Sequence, residues 1–274
     1  MKLAITAAET AAAHAPIVLR GPFADTMRQA AGIGFDAVEY HLADPDTLDI
    51  SRIRHVAKAT GMAVASIGTG PAYIHDGLSL TSPDAGVRGA AVGRMLRFIR
   101  LAHAFDSVVI IGLIKGQIRE CGDAAAYDRH LASALENCLP LAGELGVTLV
   151  LEAMNRYECD TLNTIDECLE FVKRFNSDRL KIHIDTFHMN IEEGDIRKSI
   201  EAGGARIGHV HIADSNRMWP GRGHYDFLET VQTLKAIGYT GALSVECLAR
   251  PTPEEAAQGA LDTLRMVTGA VRQP

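Results

Sequence analysis

Short apolar segments alternate with longer amphipathic segments along the whole 274-residue chain. The apolar segments have the length and the β-branched content of buried strands, and the amphipathic segments have apolar residues at helical spacing. Because no long linker interrupts the alternation, successive strands are expected to lie parallel and to be joined by right-handed crossovers. The predicted strands are Leu3–Thr6, Ala37–His41, Ala63–Ser66, Ser107–Ile111, Thr148–Glu152, Leu180–Asp185, Ile207–Ile212 and Ala242–Glu246.

Eight strand–helix units are the number that closes a (β/α)8 barrel. The predicted fold is therefore an α/β TIM barrel that occupies residues 1–274 as a single domain. An open, doubly wound sheet is the alternative, but the segment after the first strand, AAETAAAHAP, lacks the GxGxxG spacing of a nucleotide-binding loop. The predicted helices are Asp25–Ala31, Ser51–Thr60, Val87–Phe105, Ala124–Leu145, Ile165–Phe175, Ile196–Ala202, Phe227–Ile237 and Pro253–Met266.

Glycines stand just before several predicted strands, where the preceding helix has to end. They are Gly34, Gly61, Gly146, Gly238 and Gly241. A helix is commonly closed by a residue in the left-handed conformation, which glycine adopts without a steric penalty. These positions therefore support the predicted boundaries between helices and strands.

The charge and the cysteines restrict the partners and the compartment. The formal net charge is −7 and no basic patch is present, which argues against nucleic acid and anionic membranes as partners. No apolar stretch reaches the length of a membrane span, and the N-terminal MKLAIT is typical of a strand and not of a secretory signal. Five dispersed cysteines without a CxxC pair fit a reducing cytoplasm better than a disulfide framework.

Polar residues end the last four predicted strands, where a barrel presents its chemistry. LVLE ends in Glu152, IHID ends in Asp185, HVHI carries His211, and LSVE ends in Glu246. Because strand residues alternate between the lumen and the helix layer, each is expected to be one inward-facing side chain at the mouth. A single acid at a strand end is often only a helix cap. Three converging carboxylates, however, would repel one another unless a cation or protons neutralised them.

Three carboxylates and one imidazole make a hard, oxygen-rich site. Such a site suits one divalent ion, Mn²⁺ first and Mg²⁺ or Co²⁺ as alternatives, better than it suits zinc. The segment after Asp185 is expected to be a polar loop that presents His188 as a further ligand or donor. His183 and His209 lie one layer deeper and are expected to be hydrogen-bonded residues of the barrel interior.

The motifs that carry these residues resemble those of a known family. LEAMNRYE, DTFHMNIEE, HVHIADSNR with PGRGH, and SVEC are similar to motifs of the D-tagatose/D-psicose 3-epimerase family of xylose-isomerase-like barrels. The resemblance covers nearly the whole chain. Four further segments resemble the 5-keto-L-gluconate epimerase branch more closely: Ile67–Asp84, Val108–Gly116, Asn155–Glu167 and Ala213–Phe227.

The resemblance implies a role for individual residues. The family implies that the metal is held by Glu152, Asp185, His211 and Glu246. It implies that Glu152 and Glu246 are also the acid/base pair, and that Glu158, His188 and Arg217 surround the hydroxyls and the carbonyl of the substrate. The family also suggests a homodimer or a homotetramer. The chain departs from the ketose epimerases after the first strand, where AAETAAAHAP replaces aromatic residues that contact the sugar.

The expected reaction removes a proton from the carbon next to a ketone and returns it on the opposite face through an enediolate. The expected substrate is a keto-sugar or a keto-sugar acid of the 5-keto-L-gluconate/D-tagaturonate type. A keto acid also needs a cation for its carboxylate. Lys115 is the first choice because it follows VVIIGLI at a barrel mouth, ahead of Arg119, Arg217 and Arg222. The alternative is that Lys115 and Arg119 do not bind substrate and are only solvated charges of the loop.

Other activities are compatible with the same predicted metal ligands. They are a 3-epimerase of free ketoses, a keto-inositol dehydratase and a decarboxylase of a 3-oxo acid. A metal-dependent DNA-repair endonuclease would need more His and Asp ligands and a basic face, which the charge of −7 argues against. A binding protein without activity would leave the glutamate pair without a role.

Overall fold

Eight parallel strands form a closed barrel in the computed structural model, which describes residues 1–270. Each strand pairs with the next along the chain, and the last pairs with the first, so the predicted barrel is confirmed. A two-residue strand, β2, pairs with the end of β1 outside this ring. The strands are β1 (Lys2–Ala8), β2 (Leu19–Arg20), β3 (Ala37–His41), β4 (Ala63–Gly68), β5 (Val108–Ile111), β6 (Leu149–Glu152), β7 (Leu180–Asp185), β8 (Ile207–Ile212) and β9 (Ala242–Val245).

Helices surround the barrel and connect its strands. Seven of the eight predicted helices are found with ends shifted by no more than two residues, and the eighth, α11, extends four residues beyond its predicted end. Residues 271–274 of the predicted domain lie outside the described residues. The helices are α1 (Phe23–Ile33), α2 (Ile50–Thr60), α3 (Gly70–Asp76), α4 (Ala85–His103), α5 (Ile118–Cys121), α6 (Ala124–Leu145), α7 (Ile165–Lys173), α8 (Thr186–Glu192), α9 (Ile196–Gly203), α10 (Phe227–Ala236) and α11 (Pro253–Ala270).

Three short helices, α3, α5 and α8, lie in connections for which no helix is predicted. The expectation of a polar loop after Asp185 is wrong, because α8 begins at the next residue. The carboxylate of Asp185 causes this start: its Oδ1 accepts a hydrogen bond of 2.7 Å from the backbone N–H of Phe187, as an N-cap residue does. Asp185 therefore ends a strand and begins a helix.

Glycine ends several of the helices as predicted. Gly34 and Gly146 follow α1 and α6 with φ values of 111° and 72°, and their N–H groups bond back to helix carbonyls. Gly241 does not have a positive φ, so that part of the prediction is wrong. Of the two glycines between α10 and β9, only Gly238 has a positive φ, of 77°. In the described chain, no helix combines the length and the apolar character that crossing a membrane requires.

The lumen of the barrel changes from apolar to polar along its axis. Ala4, Ala37 and Ala242 form a small buried cluster at the N-terminal ends of their strands. Two residues further along β3 and β9, the same faces carry Glu39 and Ser244, which are both fully buried. The polar residues therefore lie in the half of the barrel that leads to the C-terminal ends of the strands, where sites of this fold are formed.

Candidate metal and acid/base site

The four predicted metal ligands lie on, or directly after, four consecutive strands of the barrel. Asp185 of β7 and His211 of β8 are direct partners in the parallel ladder. Glu152 ends β6 one layer lower, since its partner is His183, whereas Glu246 follows β9 two residues beyond the partner of His211. Each of the four is at most 8% exposed. The strand ends therefore converge on one buried site at different depths.

His211 lies at the centre of this group. Its Nδ1 is 3.7 Å from Asp185 Oδ2 and 3.2 Å from Glu246 Oε2. Ligand atoms of Glu152, Asp185 and His211 all lie within 4.8 Å of one another. Glu246 and His211 belong to a second group of the same spacing, together with Glu39 and His41. The predicted ligand set is thus assembled around one imidazole.

Arg217 lies between two of the predicted ligands. Its Nη1 donates to Asp185 Oδ2 at 2.5 Å, and its Nη2 donates to Glu246 Oε2. The guanidinium also stacks over the ring of Phe187, with 4.9 Å from Cζ to the centroid. Arg217 is held in the left-handed conformation, with φ 62°, by a loop that folds around the buried carboxylate of Asp214. A fixed positive charge therefore faces the carboxylates of the site.

Burial and neighbouring charges shift the pKa values of Glu152 and Glu246 in opposite directions. Burial raises the pKa of Glu152 to about 8, and the charges of His211 and Lys115 only partly oppose that rise. Burial acts on Glu246 in the same direction, but His211 and Arg217 outweigh it and hold the pKa of that carboxyl below its ordinary value. Burial also lowers the pKa of His211, yet the carboxylates around it prevail and raise that pKa well above the ordinary value.

Glu39 was not singled out by the sequence analysis and lies at the base of the site. It is fully buried in β3, and its carboxylate lies 2.7 Å from Nε2 of His211 and 2.7 Å from Nε2 of His209. The available signal was an acidic residue inside the apolar strand AVEYH, on the face that alternation assigns to the lumen. His209 is buried and hydrogen-bonded as expected. His183 is fully buried in the interior as expected, but neither of its ring nitrogens has a hydrogen-bond partner among the described residues, so the hydrogen bond expected for His183 is not found.

His188 is held in α8 by a buried asparagine. Asn155 Nδ2 lies 2.7 Å from Nδ1 of His188 and 2.9 Å from Glu158 Oε1. Because an amide NH₂ can only donate, Nδ1 of His188 accepts and the ring proton is on Nε2. That Nε2 lies 3.7 Å from Glu152 Oε1 and 4.0 Å from Asp185 Oδ2. His188 therefore points a donor into the site, while Glu158 is exposed at the rim.

Replacing Asn155 by Ala is expected to lower kcat/KM by about 5- to 150-fold. The reason is that loss of the amide leaves Nδ1 of buried His188 without a partner, at a cost of about 1–3 kcal/mol, and frees its tautomer. Steady-state kinetics with Mn²⁺ measure the effect. The matched control is Asn137→Ala, because Asn137 is an exposed asparagine of α6 whose amide bonds only to a backbone carbonyl. Equal kinetics for Asn155→Ala and wild type would contradict this role.

Lys115 is not a solvated loop charge, which was the alternative to its predicted contact with a substrate carboxylate. It ends a short 3-10 helix, Leu113–Lys115, and is fully buried, and its Nζ has no hydrogen-bond partner among the described residues. Arg119 in α5 and Arg222 are exposed, as expected of loop cations. Lys115 therefore differs from the other candidate cations of these loops: it is a buried positive charge near Glu152.

Gly112 lies against the carboxylate of Glu152 and leaves room for it because it has no side chain. A Cβ atom at this position would lie 2.4 Å from Glu152 Oε2, well inside the contact distance. Gly112→Ala is therefore expected to push that carboxylate aside and to lower turnover by about 100-fold, a loss that a misplacement of about 1 Å can cause. Gly89→Ala in α4 is the control, because a Cβ at Gly89 meets nothing within 4 Å. Circular dichroism and turnover are measured for both variants, and unchanged turnover in Gly112→Ala would contradict the geometry.

The residues fit a divalent cation. Nδ1 of His211 is buried and has no hydrogen-bond partner among the described residues, although two carboxylate oxygens lie within 3.7 Å of it. Carboxylate oxygens with one imidazole are a donor set suited to Mn²⁺, Mg²⁺ or Co²⁺. The predicted ligands fall into two candidate metal groups that share His211, one with Glu152 and Asp185 and the other with Glu246, so Glu152, Asp185, His211 and Glu246 are the residues that would hold the ion.

Comparisons with known proteins agree with this architecture. A family model described as a xylose isomerase-like TIM barrel matches residues 27–267. The chain is 33% identical to L-ribulose 3-epimerase of Mesorhizobium japonicum over 84% of this chain and 77% of that protein. It is 32% identical to D-psicose 3-epimerase of Agrobacterium fabrum over 82% and 78% of the two chains. The crystal structure of D-psicose 3-epimerase with D-tagatose from Clostridium cellulolyticum H10 superposes with a TM-score of 0.84 and 25% identity, covering 98% and 99%.

The family match covers most of the chain and agrees with the closed barrel and with its polar C-terminal end. This protein therefore belongs to the xylose isomerase-like TIM barrel family.

Proposed function

We propose that this protein is a divalent-metal-dependent epimerase that inverts the carbon next to the ketone of a keto-sugar or keto-sugar acid. The observation that carries the proposal is the placement of Glu152 and Glu246 on β6 and after β9, with Asp185 and His211 between them in the barrel order. Two carboxylates that flank a substrate can act on its two faces, which is what inversion at carbon requires.

The sugar-epimerase relatives support an enzyme of the isomerase class. When bound, the divalent ion supplies Lewis-acid stabilisation of the negative charge that develops on substrate oxygen. Mn²⁺ is proposed first, with Mg²⁺ and Co²⁺ as alternatives. Homodimeric or homotetrameric assembly and a cytoplasmic location stay predictions.

Proton transfer is assigned to the two glutamates. One takes the proton from the carbon next to the ketone, and the other delivers a proton to the opposite face of the enediolate. General acid or base catalysis of this kind contributes about 10²- to 10⁴-fold for each group. His188 donates from Nε2 and Arg217 from its guanidinium, so both stabilise the oxygen on which negative charge develops.

The proposed substrates are keto-sugar acids of the 5-keto-L-gluconate/D-tagaturonate type. Support comes from Lys115 after β5, because its buried Nζ has no hydrogen-bond partner among the described residues and a substrate carboxylate would supply one. Glu158 at the rim is proposed to contact a hydroxyl group. The second candidate is 3-epimerisation of free ketoses, favoured by the relatives named for L-ribulose and D-psicose.

A substrate panel with Mn²⁺ tests the proposal. Keto-hexonates and free ketoses are assayed side by side, and proton NMR in D₂O follows each reaction. We expect the keto acids to give the higher kcat/KM and to incorporate deuterium without losing carbon or water. Faster turnover of free ketoses would favour the second candidate, whereas release of CO₂ or water would assign a decarboxylase or a dehydratase.

A further inference from the structure

Glu39 carries a buried charge that the proposed proton transfer does not use. Its side chain is fully buried in the lumen, two residues along β3 from Ala37 of the apolar cluster. A carboxylate in such a position is costly unless its oxygens receive hydrogen bonds. The hydrogen-bond donors around the Glu39 carboxylate therefore indicate its role.

Four donors surround the carboxylate, two at each oxygen. At Oε1, the Nε2 atoms of His41 and His211 lie at 2.6 Å and 2.7 Å. At Oε2, the hydroxyl of Ser66 donates at 2.5 Å, and Nε2 of His209 lies at 2.7 Å. This number of donors satisfies both oxygens of an ionised carboxylate, which can only accept. The three histidines must then donate from Nε2.

The consequence for His211 concerns its other nitrogen. With the proton on Nε2 directed at Glu39, the lone pair of a neutral His211 is on Nδ1. Nδ1 faces Asp185 Oδ2 and Glu246 Oε2 and has no hydrogen-bond partner among the described residues. A metal-bound histidine is usually oriented in this way by a carboxylate on its far nitrogen.

We infer that Glu39 is a positioning residue that holds His211 through Nε2 and presents its Nδ1 to the divalent ion. The inference rests on the metal site of the proposed function. Glu39 lies in a candidate metal group with His41, His211 and Glu246, but each of its two oxygens is already occupied by two hydrogen-bond donors, so we assign it to orienting His211 and not to holding the ion. The carboxylate therefore acts on the metal only through the imidazole.

The first test is the affinity of metal-free protein for Mn²⁺, measured from the electron paramagnetic resonance signal of free Mn²⁺. Glu39→Gln keeps the size of the side chain but replaces one acceptor oxygen with an amide NH₂, so the four donors can no longer all be accepted. We expect the Mn²⁺ dissociation constant to rise by about 10- to 100-fold. An unchanged constant would overturn the inference.

Two variants show what a change in affinity means. Ser66→Ala removes one donor from Oε2 but leaves Oε1 and His211 in place, so its affinity is expected to stay within about threefold of wild type. A loss as large as that of Glu39→Gln would indicate general loosening and overturn the inference. His211→Asn tests the metal site itself. An unchanged Mn²⁺ affinity in this variant would contradict the proposed metal site, independently of the result for Glu39→Gln.

The second test does not depend on the folding of a variant. Nitrogen-15 NMR of histidine-labelled wild-type protein saturated with Mg²⁺ reports which ring nitrogen of His211 carries the proton. We expect the proton on Nε2 and none on Nδ1. A proton on Nδ1 would contradict the role of Glu39, even if Glu39→Gln fails to fold.

Discussion

Glu246→Gln is expected to abolish the incorporation of solvent deuterium into substrate. A neutral amide can neither take nor deliver the proton, so the loss should amount to about 10²- to 10⁴-fold. Because the amide keeps the volume of the side chain and one ligand oxygen, Mn²⁺ should still bind, but more weakly. Proton NMR of the best substrate of the panel in D₂O measures the exchange.

The control is Glu170→Gln, which makes the same chemical change at an exposed glutamate in α7. This variant should exchange deuterium at the wild-type rate. Full exchange in Glu246→Gln would show that Glu246 does not transfer the proton and that the two-glutamate scheme is wrong. Loss of Mn²⁺ binding together with exchange would instead assign Glu246 to metal binding alone.

The second large effect is expected from the metal. A ligand that binds only the folded protein stabilises it by about 2.7 kcal/mol at about 100 times its Kd, which corresponds to a rise in Tm of roughly 5–10 °C for a chain of this size. Chelator-treated protein should be inactive, and Mn²⁺ should restore both activity and the higher Tm. Scanning calorimetry at several Mn²⁺ concentrations measures the shift.

Asp185→Asn tests whether this shift comes from the proposed site. Asparagine is as good an N-cap as aspartate, so the start of α8 is retained while one ligand charge is removed. We expect most of the Mn²⁺-dependent shift to disappear. Asp123→Asn makes the same exchange at the exposed N-cap of α6 and should keep the full shift. A full shift in Asp185→Asn would place the metal elsewhere.

Much of the fold could be predicted because its signals are local. The alternation of strands and helices reflects side-chain periodicity along the chain, and glycines such as Gly146 mark helix ends. The short helices α3, α5 and α8 were missed because each has only four to seven residues. Periodicity cannot be recognised over so few positions, and α8 depends on a cap that the strand-end aspartate supplies.

The sequence also located Glu152, Asp185, His211 and Glu246, because strand ends in a barrel meet at one face. The sequence alone could not determine which positive charges lie against these carboxylates. Arg217 reaches Asp185 and Glu246 only because a loop folds around Asp214. Likewise, Lys115 follows an apolar strand in sequence, but its burial depends on packing from distant segments.

The sequence by itself therefore determined the barrel and the strand-end residues, since both follow from residue spacing along single strands. Only the tertiary structure decided which side chains orient them. Glu39 and His211 are 172 positions apart, and Asn155 and His188 are 33 apart, yet each pair lies 2.7 Å apart across the fold. The first pair depends on the register of β3 and β8, and the second depends on where the loop after β6 meets α8; spacing within one segment encodes neither.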